Sequence, residues 1–279
     1  MPHRYQLNSE QLAELASLDY CQNGFSLRQV QKGGAVNTSY SLTTPSNRFF
    51  MKTFESDQVN QLARQHLFDV QKKIWQKGMA CEPVYLSTTA GFQLDAWVEC
   101  HTLVDSKMDN ESKARTLANT LYTIHGLRIT DHVLDLPAQW AGYLAQLPQE
   151  QYSAERKEAK KLASSWYAIP EGELVFCHND LSFEHVTTNT PQLIFDWEYC
   201  ALSNRYFDLA ACIDVNKLMP QEHACLLSSY AQHAKLPLSL VMEKTTQMLP
   251  LVSLTSRLWY AVANQLATSQ SASGDKLSG

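Results

Sequence analysis

The sequence predicts an α+β chain of two parts, a small antiparallel-sheet lobe carrying one main helix and a larger, mostly helical lobe. Three observations lead there. Residues 25–54 and 84–100 read as short strands joined by turn chemistry. One helical period lies between them. After about residue 101 long helical stretches take over, interrupted by the apolar segment ELVFCHND. The boundary is expected near 100–105, giving a first lobe over 1–100, a second over 101–268 and a polar tail, SQSASGDKLSG, over 269–279.

The elements follow in order. Asn8 or Ser9 leads a short helix over 7–20. TTPSN, between YSL and RFFMKTF, marks a hairpin turn. Asp57 caps a helix whose apolar face is Val59, Leu62, Ala63, Leu67, Val70 and Ile74, a 3.6-residue repeat. VYLSTT and FQLDAWVEC form a second strand pair turning at Ala90-Gly91. Residues 111–126, 137–168 and most of 220–268 read as helices, and no internal repeat interrupts them.

Composition narrows the classes. Of 279 residues 44% are hydrophobic, enough for a core, and the net charge is −5 with no long basic run, which argues against a nucleic-acid partner. The cysteines, Cys21, Cys81, Cys100, Cys177, Cys200, Cys212 and Cys225, are odd in number and form no CxxC pair, so neither a disulfide framework nor a structural zinc site is expected. The polar start, MPHRYQLNSEQL, has no signal-peptide pattern, and no apolar run approaches the ~18 residues of a membrane span. The expectation is a cytoplasmic protein with no membrane partner. Oligomeric state is left open.

The chemistry concentrates in VFCHNDLSFEHVTTNTPQLIFDWEYCALSNRYFDLA, residues 175–210. An apolar strand delivers His178, Asn179 and Asp180 to a loop. Sixteen residues later a second apolar strand is expected to deliver Asp196. Lone aspartates usually cap turns. Two that arrive at the ends of adjacent buried strands can converge, one to accept a hydroxyl proton and the other to hold Mg2+ bridging the phosphates of ATP.

This segment, with HND, FDWEY and NRYFDLA as its specific parts, resembles the aminoglycoside phosphotransferase and choline kinase superfamily, relatives of the protein kinases. Asn204, Asp208 and the DWEY run look most like the choline kinase and bacterial thiamine kinase branches. The resemblance implies a protein-kinase-like fold. It makes Asp180 the catalytic base, with His178 orienting its loop, Asp196 binding metal and Asp208 buttressing the helical lobe. Gly33-Gly34 and Asn37, in a turn between strands, would bring backbone N–H groups to phosphates. Lys52, eighteen residues after Gly34, resembles the kinase lysine that holds the α- and β-phosphates. A lysine at a strand end is more often simply exposed. Trp97, Val98, Glu99 and Cys100 resemble the hinge that receives adenine through backbone groups. His125 ends a helix resembling the family's, and is read as structural.

Two positions depart from the family. Where an asparagine is expected to be the second metal ligand, this chain has His185. Mg2+ prefers oxygen ligands and imidazole suits softer ions. One metal suffices, or Glu184 takes over, or the chain prefers Mn2+, or catalysis is weak. The partner of Lys52 is normally glutamate. Here Gln65 stands in its place, with Asp69 one turn later as the alternative.

The choline kinase branch binds a quaternary ammonium, held by aromatic faces and carboxylates. Trp197, Tyr199, Tyr206, Trp259 and Tyr260 are the candidate faces and Glu198 the counter-charge. Trp259 and Tyr260 at helical spacing are equally consistent with core packing. Thiamine would suit the same pocket. Aminoglycosides would call for an acidic cluster that 216–250 lacks. The expectation is an ATP-dependent kinase of a small cationic alcohol, using Mg2+ or Mn2+. An aminoglycoside or sugar phosphotransferase is one alternative, and a nucleotide-binding pseudokinase, motivated by His185 and Gln65 together, is the other.

Overall fold

The computed structural model describes residues 7–30, 37–54, 57–60, 62–87, 89 and 91–274. The chain divides into two compact units, Met1–Glu99 and Cys100–Gly279. Gly33 and Gly34 lie outside the described residues.

The first unit opens with α1 (Ser9–Ser17), where Asn8 and Gln11 form a reciprocal capping box. A five-stranded antiparallel sheet follows, built from β1 (Ser26–Gln29), β2 (Ser39–Thr43), β3 (Arg48–Thr53), β4 (Pro83–Leu86) and β5 (Phe92–Ala96) in the order β1-β2-β3-β5-β4. The β2–β3 turn closes where Thr44 and Asn47 exchange hydrogen bonds. Between β4 and β5, Gly91 adopts φ +68°, a conformation that favours glycine. Period-two alternation on β3 buries Phe49 and Met51 with Tyr40, Leu42, Phe92, Leu94 and Leu15 of α1. Lys52 therefore projects from the opposite face, paired in register with Ser39 and Gln93.

The helix expected from Asp57 is interrupted. It forms as one turn, α2 (Asp57–Asn60), and then α3 (Arg64–Trp75). The Arg64 N–H bonds to the Leu62 carbonyl, breaking the four-residue ladder. The Arg64 guanidinium turns back to Asp57 and lies over the Phe54 ring. The buried positions on the expected apolar face are Val59, Val70 and Ile74.

The second unit is built from α4 (Asn110–His125), α5 (Leu136–Gln146), α6 (Ser153–Tyr167), a hairpin of β6 (Leu174–Cys177) and β7 (Ala201–Asn204), then α7 (Arg205–Val215), α8 (Pro220–Ala234) and α9 (Leu238–Gly274). Side-chain caps set the starts of three helices: Asp109 for α4, Asp135 for α5 and Asn204 for α7. The core joins Leu117, Leu121 and Ile124 of α4 to Leu226 and Tyr230 of α8, and Leu209 and Cys212 of α7 to Leu254 and Leu258 of α9. Helical backbone in α9 continues to Gly274, into the stretch expected to be a tail. Among the described residues, no helix is long and apolar enough to cross a membrane.

One polar cluster fastens α1 to the β4–β5 edge. The Glu14 carboxylate accepts hydrogen bonds from Tyr85 Oη at 2.6 Å, Ser87 Oγ at 2.8 Å and Thr89 Oγ1 at 2.9 Å. The bond to Glu14, then burial, pushes the Tyr85 phenol up to about 12. Hydrogen bonds to a charged acceptor are worth more than neutral ones, so Glu14→Ala should lower stability by about 2 kcal/mol. Urea denaturation of the two proteins measures it.

Candidate active site

The segment after β6 is held by one buried carboxylate. Asp208, in the first turn of α7, is fully buried. Its Oδ2 accepts the His178 backbone N–H at 2.9 Å and its Oδ1 that of Asn179 at 2.8 Å. His125 Nε2 donates to the same Oδ2 at 3.1 Å, and His125 Nδ1 lies 2.7 Å from Tyr230 Oη. Burial alone would raise the Asp208 pKa. The hydrogen bond and charge of His125, and the His178 N–H, overcome that and hold it below the usual carboxylate value. His125 is thus structural, as expected, and its task is to anchor this loop.

Asn179 takes φ +63°, and its Nδ2 donates to the Tyr199 carbonyl at 2.9 Å. Its buried Oδ1 has no partner among the described residues. The other end of α7 holds the rest of the loop. Asn216, the C-cap, accepts the Phe183 N–H at 2.7 Å and donates to the Leu181 carbonyl at 3.0 Å. Sequence reasoning missed α7 as an element and Asn216 as a brace. An asparagine at a helix end signals a cap, but nothing in its neighbours names the loop it reaches.

His178 is fully buried. Its Nε2 lies 2.9 Å from the Phe195 carbonyl, which only accepts, so Nε2 carries the hydrogen. Nδ1 accepts the Asp180 N–H at 3.3 Å. Burial first, and then the neighbouring His185, press its pKa down to about 4. The ring is a neutral strut joining the Asp180 loop to the backbone before Asp196.

Asp196 does not follow a regular strand. Its approach pairs with 185–187 through the single bridge Val186↔Ile194 and the bonds Phe195 N–H to His185 O and Thr187 N–H to Leu193 O. The strand paired with β6 is β7, which comes after Asp196. Asp196 adopts φ +61°. That turn sends the next side chain inward: Trp197 is buried, stacks against Phe176 and His178, and donates its Nε1–H to the Ile194 carbonyl at 2.9 Å. The expectation that Trp197 offers a face to substrate is corrected, since its N–H and both neighbours are committed to the core. Tyr206 is buried in the same way.

His185 joins the two aspartates. Its Nδ1 lies 2.9 Å from the Asp180 carbonyl oxygen and its Nε2 lies 3.7 Å from Asp196 Oδ2. Glu184 is exposed, and of the two it is His185 that faces Asp196. Asp196 and His185 thus present a carboxylate oxygen and a ring nitrogen side by side, both partly exposed, a donor set that fits a divalent cation. A second trio, His125, Cys177 and Asp208, is a hydrogen-bonded core cluster: both Asp208 oxygens are taken by N–H donors, and burial pushes the Cys177 thiol well up.

The aromatic candidates divide. Trp259 donates its Nε1–H to Tyr199 Oη at 3.1 Å and meets Tyr260 edge-on at 5.1 Å. Tyr260 is 57% exposed. Burial raises the Tyr199 phenol well above its ordinary value, and the negative charges of Glu198, Asp180 and Asp196 add to it. Those three carboxylates therefore lie within electrostatic reach of one phenol.

In the first unit, Arg48 lies over the Trp97 ring at 3.7 Å and both Arg48 and Trp97 Nε1 bond Glu99, at 2.5 and 2.8 Å. The Glu99 side chain is thereby tied to the start of β3 and the residue after β5. Cys100 begins the second unit. Asn37 leads into β2. Gln65 donates to Asp69 at 3.2 Å, so the two candidate partners of Lys52 bond to each other.

Residues 26–238 match the sequence model of the phosphotransferase enzyme family. The chain belongs to that family. Protein LicA of Haemophilus influenzae is 23% identical over 206 residues, 71% of this chain and 61% of that protein, so the chain spans about three fifths of that relative's length. Among solved structures, the choline kinase LicA from Streptococcus pneumoniae superposes with a TM-score of 0.69 at 20% identity, covering 92% of this chain and 90% of that one. A structure of LicA in complex with AMP gives a TM-score of 0.65 at 18% identity, covering 93% and 96%. The protein-kinase-like fold expected from HND and DWEY is the fold observed.

Two outcomes test this scaffold. A buried histidine with a depressed pKa binds more protons unfolded, so its contribution is complete above about 6.5 and is lost as pH falls toward 4, up to about 3 kcal/mol. Urea denaturation between pH 7 and 4.5 should show that decline, and His178→Gln should flatten it. Asp208→Asn leaves a buried N–H pair facing an amide in place of a carboxylate, and should cost about 3 kcal/mol by the same measurement.

Proposed function

We propose that this chain is an ATP-dependent kinase that phosphorylates the hydroxyl of a small cationic alcohol, choline-like or thiamine-like. The observation that carries the reading is the loop His185 ties between the Asp180 carbonyl and Asp196, with the Tyr199 hydroxyl three residues on accepting from Trp259 and the charges of Asp180, Asp196 and Glu198 reaching that phenol. An aromatic wall beside concentrated negative charge suits a quaternary or ring-nitrogen cation. The likeness to a choline kinase supports the same substrate class.

Asp180 takes the acceptor's proton while that oxygen attacks the γ-phosphorus in line and the bond to the β–γ bridging oxygen breaks, releasing ADP. The buried His178 ring and the Asp208 carboxylate keep the Asp180 backbone still, so the base need not reorganise as charge moves. Asp196 and His185 would hold the divalent cation, which when bound neutralises charge on the phosphates. In the first unit the reading assigns Lys52 to the α- and β-phosphates and leaves Gln65 as a neutral hydrogen-bonding neighbour.

An ADP-release screen over choline, ethanolamine, thiamine, aminoglycosides and sugars, with Mg2+ and with Mn2+, tests the substrate class. Turnover with a cationic alcohol is expected, and turnover with aminoglycosides alone would overturn that class. Asp180→Asn should lower kcat by about 10²–10⁴-fold on the active substrate. ATP binding, measured by thermal shift, should be retained.

A further inference from the structure

We propose that His185 is a nitrogen ligand of the divalent cation, bound through Nε2 beside the Asp196 carboxylate, and that it tilts the site toward Mn2+ over Mg2+. This rests on the phosphotransferase reading above and deepens it by naming the ligand atom and the ion.

The ring's hydrogen positions follow from its contacts. A backbone carbonyl only accepts, so Nδ1, 2.9 Å from the Asp180 oxygen, carries a hydrogen. In the singly protonated ring the lone pair then sits on Nε2. That atom faces Asp196 Oδ2 at 3.7 Å. A charge-assisted hydrogen bond between the two would close to about 2.8 Å, so the pair stands apart without one. Two adjacent ligands of one ion, each bound at about 2.1 Å, lie roughly 3 Å from each other. The observed gap is a small adjustment from that bridging span.

The ring cannot easily turn away from this task. It stacks on His178 at 5.7 Å with its plane 27° off, and His178 is itself fixed by Phe195 and Asp180. A ring N–H held by a carbonyl while the opposite nitrogen is left for metal is the usual outer support of a histidine ligand. Mg2+ selects oxygen ligands in a near-ideal octahedron, whereas imidazole is a ligand of first-row transition ions, and Mn2+ is the one among them that also favours carboxylate, carbonyl and water. Ligation at Nε2 also polarises the Nδ1–H bond to Asp180. The cation would then be linked through one ring to the backbone carbonyl of the residue assigned as base.

The test uses the full chain with Mn2+ and ADP, read by electron paramagnetic resonance. Pulsed spectra should show modulation from a directly bound nitrogen in the wild type and none in His185→Asn. The ratio of Mn2+ to Mg2+ affinity should fall at least tenfold in that variant. If His185→Asn does not fold, wild type labelled with 15N-histidine answers the same question, because only a histidine ligand converts the 14N pattern to that of 15N. An unchanged pattern on labelling, or equal nitrogen modulation and equal affinity ratios in wild type and His185→Asn, would overturn the proposal. Asp196→Asn separates the two levels of the argument. It should weaken Mn2+·ADP binding at least tenfold, and failure to do so overturns the underlying site along with the ligand. Loss in Asp196→Asn with no change in His185→Asn overturns the imidazole ligand alone and leaves His185 as a support for the Asp180 loop.

Discussion

Everything distinctive about the site hangs on the Asp208 carboxylate. Asn179 sits in the left-handed region, which for a residue with a side chain costs about 1–2 kcal/mol. The backbone there turns two successive N–H groups, of His178 and Asn179, toward the interior. Left alone they would be buried donors without acceptors. One ionised carboxylate satisfies both, and charge-assisted bonds are strong enough to offset the strain. The carboxylate is kept ionised in a fully buried place by His125 and by its position in the first turn of α7, where aligned peptide dipoles favour negative charge. Helix α7 then acts as a beam along the loop. Its first turn grips residues 178 and 179, and its C-cap Asn216 grips 181 and 183.

What the beam holds is a strongly negative region. The negative charges of Glu198, Asp180 and Asp196 all reach the Tyr199 phenol and raise it. The chain answers with neutral and polar groups in the walls. His178 is uncharged, Trp197 is inside, and Tyr199 stays protonated. On the proposed function, cations from solution would complete this site, both a metal and the substrate's own charge. Affinity for each should depend on the carboxylates that serve the other.

The legible part of this arrangement was the part governed by local pattern. HND after an apolar strand, the cap at Asn8 and the hairpin at 44–47 all follow from neighbours in sequence, and all are seen. What escaped depends on partners far along the chain. The break before α3 comes from Arg64 reaching back to Asp57, a choice that apolar periodicity does not record. Asn216 looks like an ordinary cap until the loop it holds is brought beside it. Trp197 follows the aspartate expected to bind metal and so resembled a pocket residue. The left-handed turn at Asp196 reverses its direction, and nothing in a run of one-letter codes marks an aspartate as left-handed.

That reversal also explains how four consecutive residues serve four ends. After Asp196 the chain makes one turn of 3₁₀ helix over Trp197–Tyr199, with successive side chains about 120° apart. Trp197 enters the core and supports His178, while Tyr199 meets Trp259. The charge of Glu198, between them in sequence, still acts on Tyr199. A regular strand would have put Trp197 and Tyr199 on one face and separated Asp196 from the wall. The tight turn lets Asp196, the core support Trp197, Glu198 and Tyr199 share a single segment, which the proposed function would use as metal ligand, support, counter-charge and aromatic wall. On the proposed function, a shift that moves Asp196 would also move the wall that receives the alcohol, coupling metal choice and substrate choice through the backbone of residues 196–199.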